Sequence, residues 1–328
     1  FDFNKKGIYM RTADIIRPNI RWRTFISRTG LLPGLILALC IYYSISQPRF
    51  ATFSNFMIVL RQMSFLLLMG CGQMFPVLTT GVDLSVGSII GIVSVTSAIL
   101  SLKYGVVIGF SVAILISVLI GLANGLAVGY IGVAPFAVTL GTLSIVHALA
   151  LIITSGQTIY GMPLEYMTLG AGYIWKIPIP VIVSICLTAI TWGLLSTTRF
   201  GRHMYAVGGD PEGARLSGIN VRRYLMYAYI YCGLFTGIAG ILLSSRVNSG
   251  TPNLGQAGMM LDAIAVVVIG GVSFNGGEGH ILGVIFGVIL LAILSNGFDL
   301  TGVSSFIKML VTGAIIILAI VVDKYRNR

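Results

Sequence analysis

Three polar or glycine-rich runs interrupt an otherwise apolar sequence, and they hold most of its candidate chemistry. The first is Gly81-Val82-Asp83-Leu84-Ser85-Val86-Gly87-Ser88. Asp83 and Ser85 suit the start of a helix, where side-chain oxygens accept from free N–H groups and a carboxylate meets the positive end of the dipole. The sharper reading, a carboxylate that carries a proton or cation, is weakened by its place at a span boundary, where a charge costs little.

The second run extends from Thr198 to Asn220 and contains Ala206-Val207-Gly208-Gly209-Asp210-Pro211-Glu212-Gly213-Ala214-Arg215-Leu216-Ser217-Gly218-Ile219. Gly208-Gly209 reads as a turn. Asp210 caps a helix with Pro211 at its first position and Glu212 in its first turn, and Ser217-Gly218 ends it. About two turns of helix are unstable alone in water, so this one needs something to dock on. Leu216 and Ile219 are its apolar knobs, beside Arg215. The bland alternative is a capped turn packed on its own bundle; the sharper one is a peg for a soluble partner.

The third run is Leu261-Asp262-Ala263-Ile264-Ala265, then apolar residues, then Gly270-Gly271-Val272-Ser273-Phe274-Asn275-Gly276-Gly277-Glu278-Gly279. Asp262 is expected to cap a helix start. The glycine run lacks the Lys-Ser/Thr of a phosphate loop, and no strand precedes it. A tight turn between close helices fits better.

These runs must be positioned by membrane helices. Only 9% of the 328 residues are charged and 56% are apolar. Soluble domains carry about 25% charged residues. A soluble fold of this length could not cover its surface, so lipid must solvate much of it. The 41 glycines fit close helix approach in a bilayer. Apolar runs long enough to cross fall at 30–47, 56–79, 86–101, 105–131, 135–154, 178–197, 224–245, 258–274, 280–297 and 303–322. The expected fold is all-α, a polytopic bundle of about ten transmembrane helices.

The net charge of +11 could suggest nucleic acid, but its distribution argues against that partner. Of 21 Lys and Arg, seven precede residue 30, five lie from Arg199 to Arg223, and three follow Asp323. Ten spans with a cytoplasmic N-terminus put all three clusters inside, as the positive-inside rule requires. The expected division is a basic cytoplasmic surface segment at 1–29, a transmembrane domain at 30–322 with a cytoplasmic loop at 198–223, and a basic tail at 323–328. Trp22 and Phe25 suit the headgroup layer. A short echo links Asn124-Gly125, Gly132-Val133 and Phe136 to Asn296-Gly297, Gly302-Val303 and Phe306. The topology sets the two copies at opposite faces, as an inverted repeat of spans two to five and seven to ten would.

Together the three runs resemble the ribose-type permeases of bacterial ATP-binding-cassette sugar importers, over about residues 50 to 323. The resemblance implies a gate for a monosaccharide in the bacterial inner membrane, with little chemistry of its own. It implies a second permease copy or paralogue, a periplasmic sugar-binding protein, and soluble ATPase subunits. ATP and Mg would be bound by the ATPase, with no catalytic residue, cofactor or metal in this chain. The segment Gly208, Gly209, Asp210, Pro211, Glu212, Ala214, Arg215, Leu216, Gly218 and Ile219 would be the coupling region that sits in a cleft of the ATPase.

Intramembrane polar residues are candidates to line the pathway: Gln62, Gln73, Asn124, Thr139 and Asn296, with Phe136 and Phe306 as gates. Each could equally bond or pack against a neighbouring helix. Asp83, Ser85 and Asp262 are assigned structural roles. An ion-coupled secondary sugar transporter is the main alternative; it needs midplane carboxylates, and none is placed there securely. A membrane enzyme would need paired carboxylates, clustered His or Cys, or a nucleophile elbow, and none is found. Cys40, Cys71, Cys186 and Cys232 lie in apolar runs without metal-ligand spacing.

Overall fold

The computed structural model describes residues 31–255 and 258–326. The basic segment 1–29, with Trp22 and Phe25, lies outside the described residues, as do the last two residues of the tail at 323–328. The fold is a helical bundle of α1 (Leu31–Ser46), α2 (Phe53–Leu78), α3 (Val86–Tyr104), α4 (Val106–Leu126), α5 (Pro135–Thr154), α6 (Leu164–Ala171), α7 (Ile179–Thr197), α8 (Arg199–Gly209), α9 (Pro211–Leu216), α10 (Val221–Val247), α11 (Gly258–Ile269), α12 (Ile281–Leu300) and α13 (Ser305–Arg326). The described β-structure is a two-stranded hairpin, Tyr173–Ile174 with Ile177–Pro178, and an isolated bridge between Ile159 and Gly250.

Seven of these helices are long and apolar enough to cross a bilayer: α2, α3, α4 with its π-helical extension to Ile131, α5, α7, α10 and α12. Three more apolar helices are shorter, at Leu32–Ser46, Gly258–Ile269 and Ser305–Leu318. The length criterion therefore supports seven crossings, and a total of ten requires these three to cross as well.

The core is built by α2 and α10, whose buried faces carry Phe65, Leu68, Met74, Phe75, Tyr229, Cys232 and Phe235. Small residues set the helix spacing. Gly121, Gly125 and Gly129 form one stripe on α4 and its extension. A Cβ at each would lie 2.4–2.6 Å from the backbone oxygens of Tyr229, Met226 and Arg222 on α10. Backbone meets backbone there, which is how membrane helices gain contact when lipid removes the hydrophobic drive.

The packing pairs show an internal symmetry. α10 packs on α4, and α2 on α12; α3 packs on α4 and α5, and α11 on α12 and α13; α10 packs on α3, and α2 on α11. Exchanging α2 with α10, α3 with α11, α4 with α12 and α5 with α13 maps each pair onto another. Gly132 and Gly302, equivalent in the sequence echo, both adopt left-handed backbone, at φ 82° and 72°. Asn124 and Asn296 are both buried, and Phe136 and Phe306 are both exposed.

The segment between α5 and α7 is more ordered than a plain loop. α6 packs on α10, with the Tyr166 hydroxyl 2.8 Å from Ser97 Oγ and 2.6 Å from Ser244 Oγ.

Candidate functional site

The first two polar runs and the glycine-rich part of the third converge at one end of the bundle. The segment 199–216 forms two helices where one was expected. Thr198 opens α8 by accepting from Gly201 N at 3.3 Å, and Met204 and Val207 anchor α8 in the interior. Gly208 and Gly209 are the last residues of this helix rather than a turn. The reason is tertiary. A Cβ at Gly208 would sit 1.7 Å from Leu78 O and 2.6 Å from Gly277 N. Gly277 N in turn donates to Leu78 O at 2.9 Å. The end of α2, the end of α8 and the glycine run before α12 thus meet backbone to backbone. Gly276 and Gly277 hold φ of 77° and 67°, which a side chain would strain. Tyr205 Oη donates to Gly279 O at 2.9 Å, a second tie between α8 and this run.

Asp210 then turns the chain into α9. Its carboxylate accepts from Glu212 N at 3.1 Å and Gly213 N at 3.0 Å, and Pro211 takes the first helical position. Gly213 leaves room for that carboxylate, since a Cβ would lie 2.4 Å from its oxygen. Arg215 and Glu212 form an exposed ion pair at 2.5 Å. The helix closes with Ile219 N donating to Ala214 O at 3.0 Å, while Gly218 adopts φ 81°. Ala214 is buried and Ile219 half-buried, so Ile219 is not a free knob. Leu216 is, at 78% exposed.

Asp83 departs from its expected place at a cheap boundary: it is fully buried. It folds back on its own turn instead of capping α3, accepting from Ser85 N at 2.9 Å and Ser85 Oγ at 2.5 Å. Ser85 makes no side-chain cap either. Its hydroxyl accepts from Asn124 Nδ2 at 3.0 Å, and Thr142 Oγ1 donates to Asn124 Oδ1 at 2.6 Å. Thr139 Oγ1 donates to Val82 O at 3.3 Å. With its amide in the orientation that satisfies both groups, Gln73 donates to Asp83 O at 3.2 Å and accepts from Asp83 N at 3.1 Å. One polar network therefore ties α2, the 81–85 turn, α4 and α5. Asp83 Oδ2 and the Tyr229 hydroxyl have no hydrogen-bond partner among the described residues. Burial pushes the Asp83 carboxyl above its ordinary range, and the Ser85 hydrogen bonds pull partly against it.

The other candidates lie apart from this end. Asn296 Nδ2 donates to Asn55 Oδ1 at 2.8 Å and receives the reciprocal bond at 2.9 Å, joining α12 to α2. Gln62 Nε2 donates to Ser295 Oγ at 3.5 Å and lines a cavity. Asp262 lies in the second turn of α11, lining the same cavity, and so does not cap the helix start at Gly258. Phe136 and Phe306 project outward, 63% and 84% exposed. Gln73, Asn124, Thr139 and Asn296, by contrast, are committed to bonds between elements.

Sequence reasoning missed Tyr205, Leu78 and Arg246, the last of which lines the cavity with Gln62 and Asp262. Arg246 was legible in principle, since a lone arginine closing an apolar run runs against the basic-inside pattern. The main-chain oxygen of Leu78 leaves no sequence signal. Among the described residues no group of three or more His, Cys, Asp or Glu is placed to hold a metal ion.

An apolar bundle with seven crossing-length helices among the described residues defines a multi-pass membrane protein. The chain belongs to the family "Branched-chain amino acid transport system / permease component", which matches residues 55–320, and it is a non-enzymatic permease subunit of an ATP-binding-cassette importer. It is 39% identical over 306 residues to the ribose import permease protein RbsC of Bacillus subtilis (strain 168), covering 92% of this chain and 94% of that protein. It is 34% identical to the D-allose transport system permease protein AlsC of Escherichia coli (strain K12), covering 92% of each. It is 34% identical to the galactose/methyl galactoside import permease protein MglC of Haemophilus influenzae (strain ATCC 51907 / DSM 11121 / KW20 / Rd), covering 96% of each. No solved structure matches the chain.

Proposed function

We propose that this chain is the gate through which a monosaccharide enters a bacterium, moved by a separate ATPase. The relatives named above are permeases for ribose, allose and galactose, which supports a pentose or hexose as cargo. The inner membrane is the proposed location, with ten crossings and both termini cytoplasmic. The foot at 208–219 then faces the cytosol.

One observation carries the mechanism. α9 presents Leu216 to solvent, and Asp210 joins it to the end of α8, where the Gly208–Gly277–Leu78 contact ties α8 to the end of α2 and to the turn between α11 and α12. A push on Leu216 is thereby delivered to both halves of the bundle by rigid backbone contact. ATP binding in a partner ATPase would close its subunits and move α9 in each of two permeases, a second copy or a paralogue. The halves then rock between outward-open and inward-open states. A periplasmic binding protein would load the outward state. Phe136 and Phe306, equivalent in the sequence echo and exposed at helix starts, would meet the second permease and gate the pathway between them.

The test is uptake by the purified transporter in vesicles. We expect accumulation of ribose, allose or galactose on ATP addition, with no accumulation when an imposed proton gradient replaces ATP. Accumulation on the proton gradient alone would replace this reading with ion coupling.

A further inference from the structure

A cavity of about 480 Å³ lies among α2, α10, α11, α12 and α13, beside the half of α2 remote from Leu78. Its size falls in the range of small-ligand sites, about 300–1,000 Å³. Most of its wall is apolar, but seven polar side chains converge on it: Gln62 from α2, Arg246 from α10, Asp262 from α11, Ser295 from α12, and Ser305, Lys308 and Thr312 from α13. Each of five helices contributes at least one. None of these residues belongs to the Asp83 network or to the α8–α9 foot.

The chemistry of this set is selective. Arg246 and Lys308 donate, Asp262 accepts, and Gln62, Ser295, Ser305 and Thr312 can do both. The wall carries both signs: Arg246 and Lys308 face it as cations and Asp262 as a carboxylate, with Lys308 paired to Asp299 at 2.7 Å. An anion would meet the Asp262 carboxylate, and a cation would meet Arg246 and Lys308. A neutral solute with several hydroxyls satisfies both signs. Phe65 forms one wall and carries the Arg246 guanidinium 5.5 Å above its ring, which holds that donor in place. An apolar ring face beside convergent donors and acceptors matches a sugar, which has C–H faces and a hydroxyl edge.

We propose that this cavity is a monosaccharide subsite within a single chain, formed by Gln62, Arg246, Asp262, Ser295 and Lys308. It rests on the sugar-permease reading and adds to it a holding site away from the interface between two permeases. Its walls come from both repeat halves, α2 from one and α10 to α13 from the other. Rocking of the halves would change its volume and release the sugar.

Thiol protection tests this. Ser295→Cys and Tyr160→Cys are made separately after replacing Cys40 and Cys186, and each is treated with a small methanethiosulfonate in the reconstituted transporter. Tyr160 is an exposed residue outside the cavity and serves as control. We expect D-ribose, D-allose or D-galactose to slow modification of Ser295→Cys, about twofold at half occupancy, and to leave Tyr160→Cys unchanged. Asp262→Asn, which keeps shape but loses charge, should raise the protecting concentration roughly tenfold or more. If one of these sugars is transported while Ser295→Cys reacts at the same rate at every concentration, the subsite is overturned and the permease reading stands. If no sugar is transported by the intact assembly, the permease reading itself fails. Should Ser295→Cys not assemble, sugar-dependent change in Asp262→Asn uptake decides: an unchanged half-saturation with unchanged rate overturns the subsite, and a tenfold rise supports it.

Discussion

Gly208→Ala and Gly209→Ala differ by one position and should behave oppositely. A methyl group at Gly208 would lie 1.7 Å from Leu78 O and 2.6 Å from Gly277 N, both main-chain atoms that cannot rotate away. The backbones must separate by more than an ångström. Overpacking of that kind costs about 1–3 kcal/mol. It also breaks the bond from Gly277 N to Leu78 O, worth about 1 kcal/mol. Alanine's better helix propensity returns at most about 1 kcal/mol. The net loss is therefore about 1–3 kcal/mol. At Gly209 the nearest atom to an added Cβ is Gly277 Cα at 3.7 Å, an ordinary contact. Only the propensity gain remains, so Gly209→Ala should be neutral or slightly stabilising. Apparent thermal midpoints of both variants in nanodiscs, with ATP-driven uptake in parallel, read the difference. Gly208→Ala should melt earlier and transport poorly, while Gly209→Ala keeps both properties. Equal midpoints for the two would refute the backbone contact as the link between α8, α2 and the 276–277 turn.

Asp83 offers a pH test. Its folded carboxyl holds a proton above the ordinary range, so its protonated form contributes stability in acid, and that contribution is lost as pH rises through the folded value. Asp83→Asn imitates the protonated form, and its midpoint should be flatter with pH; the gap from wild type should be smallest in acid and widen upward, at about 1.4 kcal/mol per tenfold preference for the proton. The Asn55–Asn296 pair should show strong coupling: Asn296→Ala strands a buried amide at about 1–3 kcal/mol, while Asn55→Ala with Asn296→Ala should cost less than the two singles together. Additive losses in that cycle would contradict the reciprocal bonds.

The membrane class was readable from composition, because too few charges exist to cover a soluble surface, whatever the fold. The helix start at Pro211 was also readable, since Asp210 and Pro211 act through local geometry. Gly208-Gly209 was misread because a glycine pair looks the same whether it turns the chain or lets another backbone approach. The atom that decides, Leu78 O, lies far away in sequence. Asp83 was placed at a boundary on span length alone, yet its surroundings come from Gln73 on α2 and Asn124 on α4. Asp262 had the composition of a cap but sits a turn too deep, facing a cavity whose polar contributors run from Gln62 to Thr312 in the sequence. Such convergence exists only after the helices pack. Pathway candidates were chosen as isolated polar residues in apolar runs, and the polar ones are hydrogen-bonded to groups on neighbouring elements, as expected where lipid offers no partner.

The foot carries the heaviest claim, and Leu216→Asp addresses it directly. The side chain is exposed, so the substitution should leave the midpoint of the purified permease within about 0.5 kcal/mol of wild type. In the reconstituted transporter we expect ATP-driven sugar uptake to be lost while the permease still inserts and remains folded. Uptake at the wild-type rate in that variant would mean that the ATPase grips the chain elsewhere.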